Sequence, residues 1–253
     1  MEKIISKDNS KLKLCQKLLT NKGRKEHGLF IAEGVRLLSQ GGVADFYLLD
    51  EAKAASLTIP EGLCYLVPPE LFAKITTTEH SQGIIGVYKI PKYNLEDLQG
   101  NFFLVLDKIQ DPGNAGTLIR TAEAAGASAV IATKGTVDLY SPKVVRSTMG
   151  SVFNLLLYQN ISYREIAKLS QAKMLPLVVT ALDSKAKNYY EVDYSKGCIL
   201  VMGNEGWGVS AEIMAIATEK VYIAMQGKIE SLNVATSGAV VLFEINRQIY
   251  SKA

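Results

Sequence analysis

Short apolar runs that alternate with helical patterns are the feature that most restricts the fold of this chain. Between residues 102 and 249, runs of about 5 apolar residues are each followed by a polar loop, usually with glycine, and then by a helix pattern. Apolar runs of that length, flanked by helices, are typical of strands buried on both faces of a parallel sheet. The sequence therefore predicts an α/β fold with a mostly parallel sheet in its C-terminal part.

The N-terminal part of the chain shows a shorter and less regular alternation. Residues 9–22 place leucines among lysines in the pattern of an amphipathic helix, with Gly23 at its C-terminal end. Short strand and helix patterns follow, and the polar, proline-containing segment 91–100 separates them from the long alternation. We therefore expect two domains, a small α/β domain over residues 1–95 and a larger α/β domain over residues 96–253.

Positive charge is concentrated at the N-terminus. The whole chain has a net charge of +3, but residues 1–36 hold nine Lys and Arg against four Asp and Glu, a local charge of +5 that leaves −2 for the remainder. A basic end on a near-neutral body is a common electrostatic footprint of nucleic-acid binding. Charge alone is equally compatible with a merely solvated helix face.

Neither a membrane anchor nor a cysteine-based metal site is indicated. No apolar run reaches the roughly 20 residues that a membrane-spanning helix needs, and the first residues lack the apolar core of a signal peptide. We therefore expect a cytoplasmic protein without membrane contact. Cys15, Cys64 and Cys198 are far apart and are not spaced with His27 or His80 as metal ligands. They are interpreted as buried or idle thiols, and no metal site is expected.

Three polar loops follow predicted strands of the larger domain. They lie at residues 107–114, just before a helix that carries Arg120, at residues 203–208 and at residues 226–233. Ligands of open α/β sheets bind outside the carboxyl ends of the strands, so we expect these loops to converge on one site. The second loop places Glu205 between glycines, where a carboxylate is unusual unless it binds something.

Each of these loops also has a purely structural explanation. Asn114 has the residue type of a helix N-cap, and Arg120 that of a surface cation. Glu205 fits a solvated position in a tight turn, while Ser231 and Asn233 are ordinary residues for a helix start. Taken one at a time, the loops leave the structural and the functional explanation open.

Together the loops resemble the three sequence motifs of the SpoU (TrmH-like) family, in the SPOUT superfamily of RNA methyltransferases. The corresponding segments are Asn114-x-Gly116-x-x-x-Arg120, Gly203-Asn-Glu205-Gly-x-Gly208, and Ile223 through Ser231-Leu-Asn-Val234. They occur in the family's order and near its separations. Residues 145–153 are similar to the family's Arg-Ser-x-x-Gly helix, and residues 29–36 resemble the small L30e-like substrate-binding domain that precedes the catalytic domain in many members.

This resemblance implies a fold, a cofactor and an assembly. The C-terminus would form a deep trefoil knot, an exception to the usual unknotted topologies. S-adenosylmethionine would bind in the knot, and the protein would be a homodimer whose active site draws on both subunits. The residues expected to hold the cofactor are Thr180, Gly203, Ile223, Met225 and Leu232.

The implied reaction is methyl transfer to a ribose 2′-hydroxyl of RNA. The catalytic residues carried over from the motifs are Asn114, Arg120, Glu205, Ser231 and Asn233. The family proposal makes the motif-one arginine the base, but the guanidinium pKa above about 12 suits phosphate binding and charge stabilisation equally well.

Two positions depart from the family pattern. Ala224 stands where the family usually has proline, and Ala235 stands where serine is common. Because neither change removes a reactive group, activity is expected to survive.

Three alternative functions remain at this stage. The first is methylation of transfer RNA; ribosomal RNA is favoured because a separate basic domain suits a large folded target. The second is a non-catalytic RNA-binding or ribosome-assembly factor on the same fold. The third is a nucleotide-dependent oxidoreductase, which the missing Gly-x-Gly-x-x-Gly fingerprint makes poorly supported.

Overall fold

The structure, a computed structural model, describes residues 1–229 and 231–250. Its strands are β1 (Glu2–Lys3), β2 (Leu29–Glu33), β3 (Phe46–Asp50), β4 (Cys64–Val67), β5 (Ile84–Lys89), β6 (Phe102–Asp107), β7 (Ala129–Thr133), β8 (Leu156–Ile161), β9 (Leu177–Thr180), β10 (Lys187–Asn188), β11 (Cys198–Gly203) and β12 (Glu219–Tyr222). Its α-helices are α1 (Ser10–Leu18), α2 (Asn21–His27), α3 (Val35–Leu38), α4 (Pro69–Phe72), α5 (Pro112–Ala124), α6 (Pro142–Ser147), α7 (Ser151–Asn154), α8 (Tyr163–Lys173), α9 (Ala211–Ile216) and α10 (Val234–Tyr250).

The chain divides into two compact units. The first comprises Met1–Lys92 together with Tyr140–Asn154, and the second comprises Tyr93–Leu139 together with the residues from Leu155 onward. The segment with α6 and α7 therefore packs with the N-terminal elements, although the chain enters it from the larger unit.

The first unit is built on a mixed sheet of order β1-β4-β3-β5-β2. Strand β4 is parallel to β1 and β3, whereas β5 is antiparallel to β3 and β2. Helix α1 buries Leu12, Cys15 and Leu18 in the same core as Ile31 and Leu48. The predicted small α/β fold of the N-terminal part is confirmed.

The predicted end of the first helix was wrong. Helix α1 stops at Leu18, and Gly23 lies inside α2, where a Cβ would collide with the carbonyl of Lys17. Glycine is needed there for close approach, and the left-handed cap is Gly28, with φ of 64°. The buried Arg24 donates from Nη1 to the Leu18 carbonyl at 2.6 Å. One of the nine N-terminal cations therefore stabilises the turn between α1 and α2 instead of facing solvent.

Aromatic packing holds the segment Tyr140–Asn154 in the first unit. The ring of Tyr140 lies 5.0 Å from that of Phe30, and the ring of Phe153 lies 4.8 Å from that of Tyr88. Contacts between such rings stabilise a core beyond the apolar area they bury.

The second unit contains a sheet of order β10-β12-β9-β11-β6-β7-β8, and its paired strands are all parallel. The core on one face joins Phe103, Val105 and Val201 with Ile166 of α8 and Ile213 of α9.

Helix α10 packs against α5 and strand β11 through a close approach. A Cβ on Gly238 would collide with Leu118 and would lie 3.7 Å from Met202. Successive residues of a strand point to opposite faces, so Met202 lies on the face opposite to that of Val201, and α10 covers this second face. Helices thus cover both faces, as a parallel sheet requires, and the predicted α/β class is confirmed.

The described residues contain no helix long and apolar enough to cross a membrane. Cys15 and Cys198 are buried and Cys64 is partly buried, and all are free thiols. Burial raises the pKa of Cys15 to about 12 and also raises that of Cys198. Thiols held in this protonated state are poor nucleophiles, in agreement with their interpretation as idle side chains.

Candidate active site

A pocket of about 730 Å³ opens at the carboxyl ends of three strands in the second unit. Thr180 ends β9, Gly203 ends β11 and Tyr222 ends β12, and each lines the pocket. The structure places all the residues expected to hold a cofactor in its walls: Thr180, Gly203, Ile223, Met225 and Leu232. Apolar side chains line much of the rest, among them Met202, Val209, Met214, Val221 and Val241, and polar side chains line the remainder, among them Asn204, Glu205, Ser231, Asn233 and Ser237.

The loop after β11 is shaped by glycines. A Cβ on Gly203 would collide with the backbone of Gly208 and Val209, so only glycine fits there. Asn204 and Gly208 exchange two backbone hydrogen bonds of 2.9 Å, and Gly208 takes a φ of 71°. The sequence therefore closes residues 204–208 into a tight loop at the rim of the pocket.

The side chain of Asn204 fixes the inside of this loop. Its Oδ1 accepts hydrogen bonds from the backbone N–H groups of Gly206 at 2.9 Å and Trp207 at 3.2 Å. Its Nδ2 donates to the carbonyl of Lys108 at 2.8 Å. The loop is thus tied to the end of β6, and Glu205 and Trp207 are held out on its exposed side.

Asp107, at the end of β6, is a second anchor, and sequence reasoning missed it. It is fully buried; its Oδ2 accepts from the backbone of Ser210 at 2.7 Å, and its Oδ1 accepts from Thr133 at 3.0 Å and from the Tyr163 hydroxyl at 3.3 Å. A buried carboxylate needs such donors, and here they hold the start of α9 against the sheet. Its position at the end of an apolar strand could have identified Asp107 from the sequence as a residue of the site.

Asn114, Glu205 and Asn233 form one hydrogen-bonded group. Asn114 Nδ2 donates to Glu205 Oε1 at 3.0 Å, and Asn233 Nδ2 donates to Asn114 Oδ1 at 3.0 Å. The three expected loops therefore do converge, with Glu205 and Asn233 lining the pocket and Asn114 bridging them.

Helix capping leaves Asn114 available for this group. The N-cap of α5 is Asp111, whose Oδ1 accepts from the backbone N–H of Asn114 at 2.8 Å. The structural explanation of Asn114 as the N-cap was wrong, because the helix begins earlier, at Pro112. Its side-chain amide instead forms hydrogen bonds with Glu205 and Asn233.

Asn233 both caps a helix and takes part in the hydrogen-bonded group. Its Oδ1 accepts from the backbone of Ala235 at 2.8 Å and of Thr236 at 3.3 Å, which caps α10. Its Nδ2 remains free to hold Asn114. Ser231 is exposed and lines the pocket two residues earlier.

Arg120 is the predicted site residue that the structure does not bring to the group. It lies exposed on α5, and it makes no hydrogen bond or ion pair with any described residue. Six residues along a helix correspond to roughly 9 Å and roughly 240° of rotation, so Arg120 and Asn114 point in different directions.

The two departures from the family pattern lie beside the pocket. Ala224 is exposed between Ile223 and Met225, which both line it. Ala235 is buried in the first turn of α10, with its backbone N–H bonded to Asn233. Neither position contributes a polar side chain that the hydrogen-bonded group uses.

The first unit holds a smaller cavity of about 290 Å³ with a different lining. Its basic residues are Arg36, His80 and Arg146, and Glu33 forms part of the wall. Arg146 Nη1 donates to Thr77 Oγ1 at 3.3 Å.

Threonines hold Glu33 in its charged form. Burial opposes its ionisation, but hydrogen bonds from Thr76, Thr78 and Thr77 outweigh burial and hold the pKa of the carboxyl below its usual value. The Glu33 carboxylate therefore already accepts hydrogen bonds from donors within the first unit.

An all-parallel sheet with a pocket made by its C-terminal loops defines the second unit as an α/β ligand-binding domain. The profile of the SpoU rRNA Methylase family matches residues 101–243, and the profile of the MRM3-like substrate binding domain matches residues 9–86. The chain therefore belongs to the SpoU rRNA Methylase family.

Similar proteins align over nearly the whole chain or over its C-terminal part. The 23S rRNA (guanosine(2553)-2'-O)-methyltransferase RlmP of Bacillus subtilis (strain 168) is 35% identical over 97% of this chain and 99% of its own. The AdoMet-bound rRNA methyltransferase from Sinorhizobium meliloti superposes with a TM-score of 0.85 at 32% identity, covering 98% of each chain. The tRNA (guanosine(18)-2'-O)-methyltransferase of Thermus thermophilus is 33% identical over 59% of this chain and 76% of its own.

Proposed function

We propose that this protein is an S-adenosylmethionine-dependent RNA methyltransferase that acts on a ribose 2′-hydroxyl in ribosomal RNA. The observation that carries the proposal is the hydrogen-bonded group of Asn114, Glu205 and Asn233 at the wall of the 730 Å³ pocket. Full-length relatives named as rRNA 2′-O-methyltransferases support the same reaction.

The pocket suits this cofactor better than a dinucleotide. Among the described residues that line it, Glu205 is the one charged side chain. A pyrophosphate would need cations or unused backbone N–H groups at a helix start, and at the start of α10 the N–H groups of Ala235 and Thr236 already donate to Asn233. A sulfonium cation, in contrast, is compatible with a nearby carboxylate. Apolar walls beside polar backbone at strand ends fit an adenine ring, and the volume lies within the range of small-ligand sites. Thr180, Gly203, Ile223, Met225 and Leu232 would hold the cofactor.

Bound S-adenosylmethionine supplies an activated methyl group, and the residues of the chain must present the ribose hydroxyl to it. Glu205 uses Oε1 for Asn114, so Oε2 remains to accept a hydrogen bond from the hydroxyl. Asn114 is fixed at both ends of its amide, which orients Glu205 and Asn233 together. Ser231 at the pocket wall positions the ribose. Orientation of this kind is itself a large part of catalysis.

Arg120 completes the site from a second copy of the chain. Its guanidinium is exposed and makes no hydrogen bond or ion pair within residues 1–229 and 231–250 of its own subunit, which suits a cation that reaches a partner's site. There it would bind the phosphate next to the target ribose and stabilise the negative charge that develops on its oxygen. The protein would accordingly work as a homodimer.

The C-terminal segment is proposed to be a trefoil knot. Strand β11 lies between β6 and β9, while β12 lies beyond β9, and α10 then returns to pack on α5 and β11. Such a knot would build one pocket from two successive loops.

Ribosomal RNA is favoured over transfer RNA as the substrate because the relatives align over different shares of this chain. The rRNA enzyme aligns over 97% of this chain, whereas the tRNA enzyme aligns over 59%. In this proposal residues 1–95 form the RNA substrate-binding domain and residues 96–253 the methyltransferase domain, in the cytoplasm. Exposed Lys7, Lys22 and Lys25 in the first unit provide cations for a large phosphate backbone.

Mapping of 2′-O-methyl positions in total RNA, from cells with and without this protein, tests the proposal. We expect one ribosomal RNA position to lose its methyl group and purified protein with S-adenosylmethionine to restore it. A position lost from transfer RNA would instead identify a tRNA enzyme. An unchanged map, together with retained RNA binding, would indicate a non-catalytic RNA-binding factor.

A further inference from the structure

Trp207 is an aromatic side chain presented to solvent beside the proposed reaction centre. It is the one tryptophan of the chain, and 89% of its surface is exposed. Tryptophan has a large apolar surface and is normally covered, so an indole held this far out indicates that a ligand covers it.

We propose that Trp207 is a stacking platform for an unpaired RNA base next to the methylated ribose, an inference that rests on the proposed function. Sequence-specific RNA recognition relies on bases that are turned out of the stack and laid on aromatic rings. Stacking accepts any base, because every base has a π-face. The platform would therefore hold the target nucleotide in place while other contacts select the RNA.

The backbone that carries Trp207 is prepared for such a role. The N–H of Trp207 donates to Asn204 Oδ1 at 3.2 Å, and the exchange of hydrogen bonds between Asn204 and Gly208 closes the loop around it. Gly206 and Gly208 flank the tryptophan and have no side chain to cover either face of the indole. A backbone that is already ordered reduces the conformational entropy that the loop loses on binding.

The position of Trp207 also matches the chemistry proposed for its neighbours. It lies in the Asx-type turn that Asn204 makes, and Gly206 alone separates it from Glu205, which holds Asn114. A base that lies on the indole brings its own ribose, or that of the next nucleotide, toward the Glu205 carboxylate. One loop would thus carry both the side chain that binds the base and the carboxylate that orients the ribose.

Other occupants fit these observations less well. Trp207 also borders the cofactor pocket, but it is 89% exposed, whereas Met202 and Val221, which would enclose the cofactor, are buried. A second copy of the chain would need a contact surface of about 800 Å² per partner, while the sequence neighbours of Trp207 are Gly206 and Gly208.

Tryptophan fluorescence tests the proposal directly because all of the signal comes from position 207. We expect a mixed-sequence RNA dodecamer to quench the emission, and a ribose-phosphate dodecamer without bases to leave it unchanged at the same charge. We also expect S-adenosylhomocysteine alone to have little effect. Quenching by S-adenosylhomocysteine to the same extent as by RNA would overturn the proposal, because the indole would then belong to the cofactor site.

The remaining outcomes concern a second copy and non-specific charge effects. A free protein whose emission is that of a covered indole, and shifts toward that of an exposed one on dilution, would assign Trp207 to a subunit interface and overturn the proposal. Equal quenching by both dodecamers would do the same, because it would report phosphate binding without stacking.

Kinetics of methyl transfer to in vitro transcribed ribosomal RNA provide the second readout. For Trp207→Ala we expect the KM for RNA to rise by about 5- to 100-fold, the loss of one base–aromatic stack, with unchanged affinity for S-adenosylhomocysteine. Trp207→Phe should restore most of the loss. Met174→Ala, which alters an equally exposed apolar residue of the second unit that lines neither pocket, is the matched control and should leave the KM unchanged.

Failure of this proposal and failure of the proposed function have different signatures. Normal KM values in Trp207→Ala, with active wild-type enzyme, would remove the stacking platform and leave the methyltransferase intact. Absence of methyl transfer to any RNA by the wild type, with cofactor bound, would remove the proposed function and with it this inference.

Discussion

The pockets of the two units differ in size, charge and lining. The pocket of the second unit has about 730 Å³ and a wall of mixed apolar and polar residues, and Glu205 is the one charged side chain among the described residues that line it. The pocket of the first unit has about 290 Å³, and its wall combines Arg36, His80 and Arg146 with a carboxylate already held by threonines. The first arrangement can enclose a small organic ligand, whereas the second offers donors for phosphate groups at the surface.

In the proposed function, this contrast separates two tasks within one chain, the binding of the cofactor and the binding of RNA. Residues that bind a cofactor must exclude water and fix orientation, so they lie at the ends of buried parallel strands. Residues that hold RNA need charge and access, so they lie on a small mixed-sheet unit rich in cations. If the two tasks are separate, a change at one pocket should leave the ligand of the other pocket unaffected.

The largest effect is expected from a residue that lines neither pocket. Arg120→Ala should lower kcat by roughly 100- to 1,000-fold, because it removes the cation proposed to stabilise charge in the transition state. Arg120 is exposed and has no hydrogen bond or ion pair to the part of the chain that the structure describes, so the fold should be intact, as circular dichroism will show. Arg164→Ala, at another exposed helical arginine, is the matched control and should be fully active. A folded and active Arg120→Ala enzyme would contradict the assignment.

The next effect concerns the shape of the larger pocket. Gly203→Ala should weaken S-adenosylmethionine binding by about 10- to 100-fold in calorimetry, because a methyl group there collides with the backbone of Gly208 and Val209. In Gly206→Ala the new Cβ would meet Asn204 Oδ1 at 3.6 Å, an ordinary contact, so this variant should bind normally. Equal binding by both variants would mean that the loop does not shape the cofactor site.

A smaller effect is expected in the first unit. Arg36→Ala should weaken RNA binding by about 3- to 10-fold and lower its dependence on salt, because a phosphate contact is lost. Cofactor affinity should not change, since Arg36 lines only the smaller pocket. Filter binding at several salt concentrations measures the affinity for RNA and its dependence on salt. Lys74→Ala is an exposed control outside that pocket. An unaltered salt dependence for Arg36→Ala would separate this pocket from RNA binding.

The smallest effect is a pH dependence of stability. The pKa of Glu33 is lower in the folded chain than its usual value of 4.5, so the charged carboxylate stabilises the fold above that value and loses its contribution as the pH falls through the folded pKa. We expect the melting temperature of Glu33→Gln to lie a few degrees below that of the wild type at pH 7, and the difference to shrink below about pH 4.5. Glu79→Gln should show no such change, and a constant difference at all pH values would refute the role of the threonines.

Local patterns predicted which loops line the larger pocket. Strand-end loops are visible in the sequence because buried strands and glycine-rich turns have strong signatures, and Thr180, Gly203 and Ile223 all line the pocket. Helix boundaries were less predictable. Asp111 and Asn114 are both good capping residues, and only the backbone decides that Asp111 is the cap.

The sequence by itself determined the α/β class, the parallel sheet, the small α/β N-terminal unit and the place of the pocket, because periodicity and turn chemistry act over a few residues. Only the tertiary structure decided which side chains meet. Asn114 reaches Glu205 across 91 positions and Asn233 across 119, and Asp107 reaches Ser210 across 103. Such partners are selected by the packing of the sheet and its helices, which no short stretch of sequence encodes.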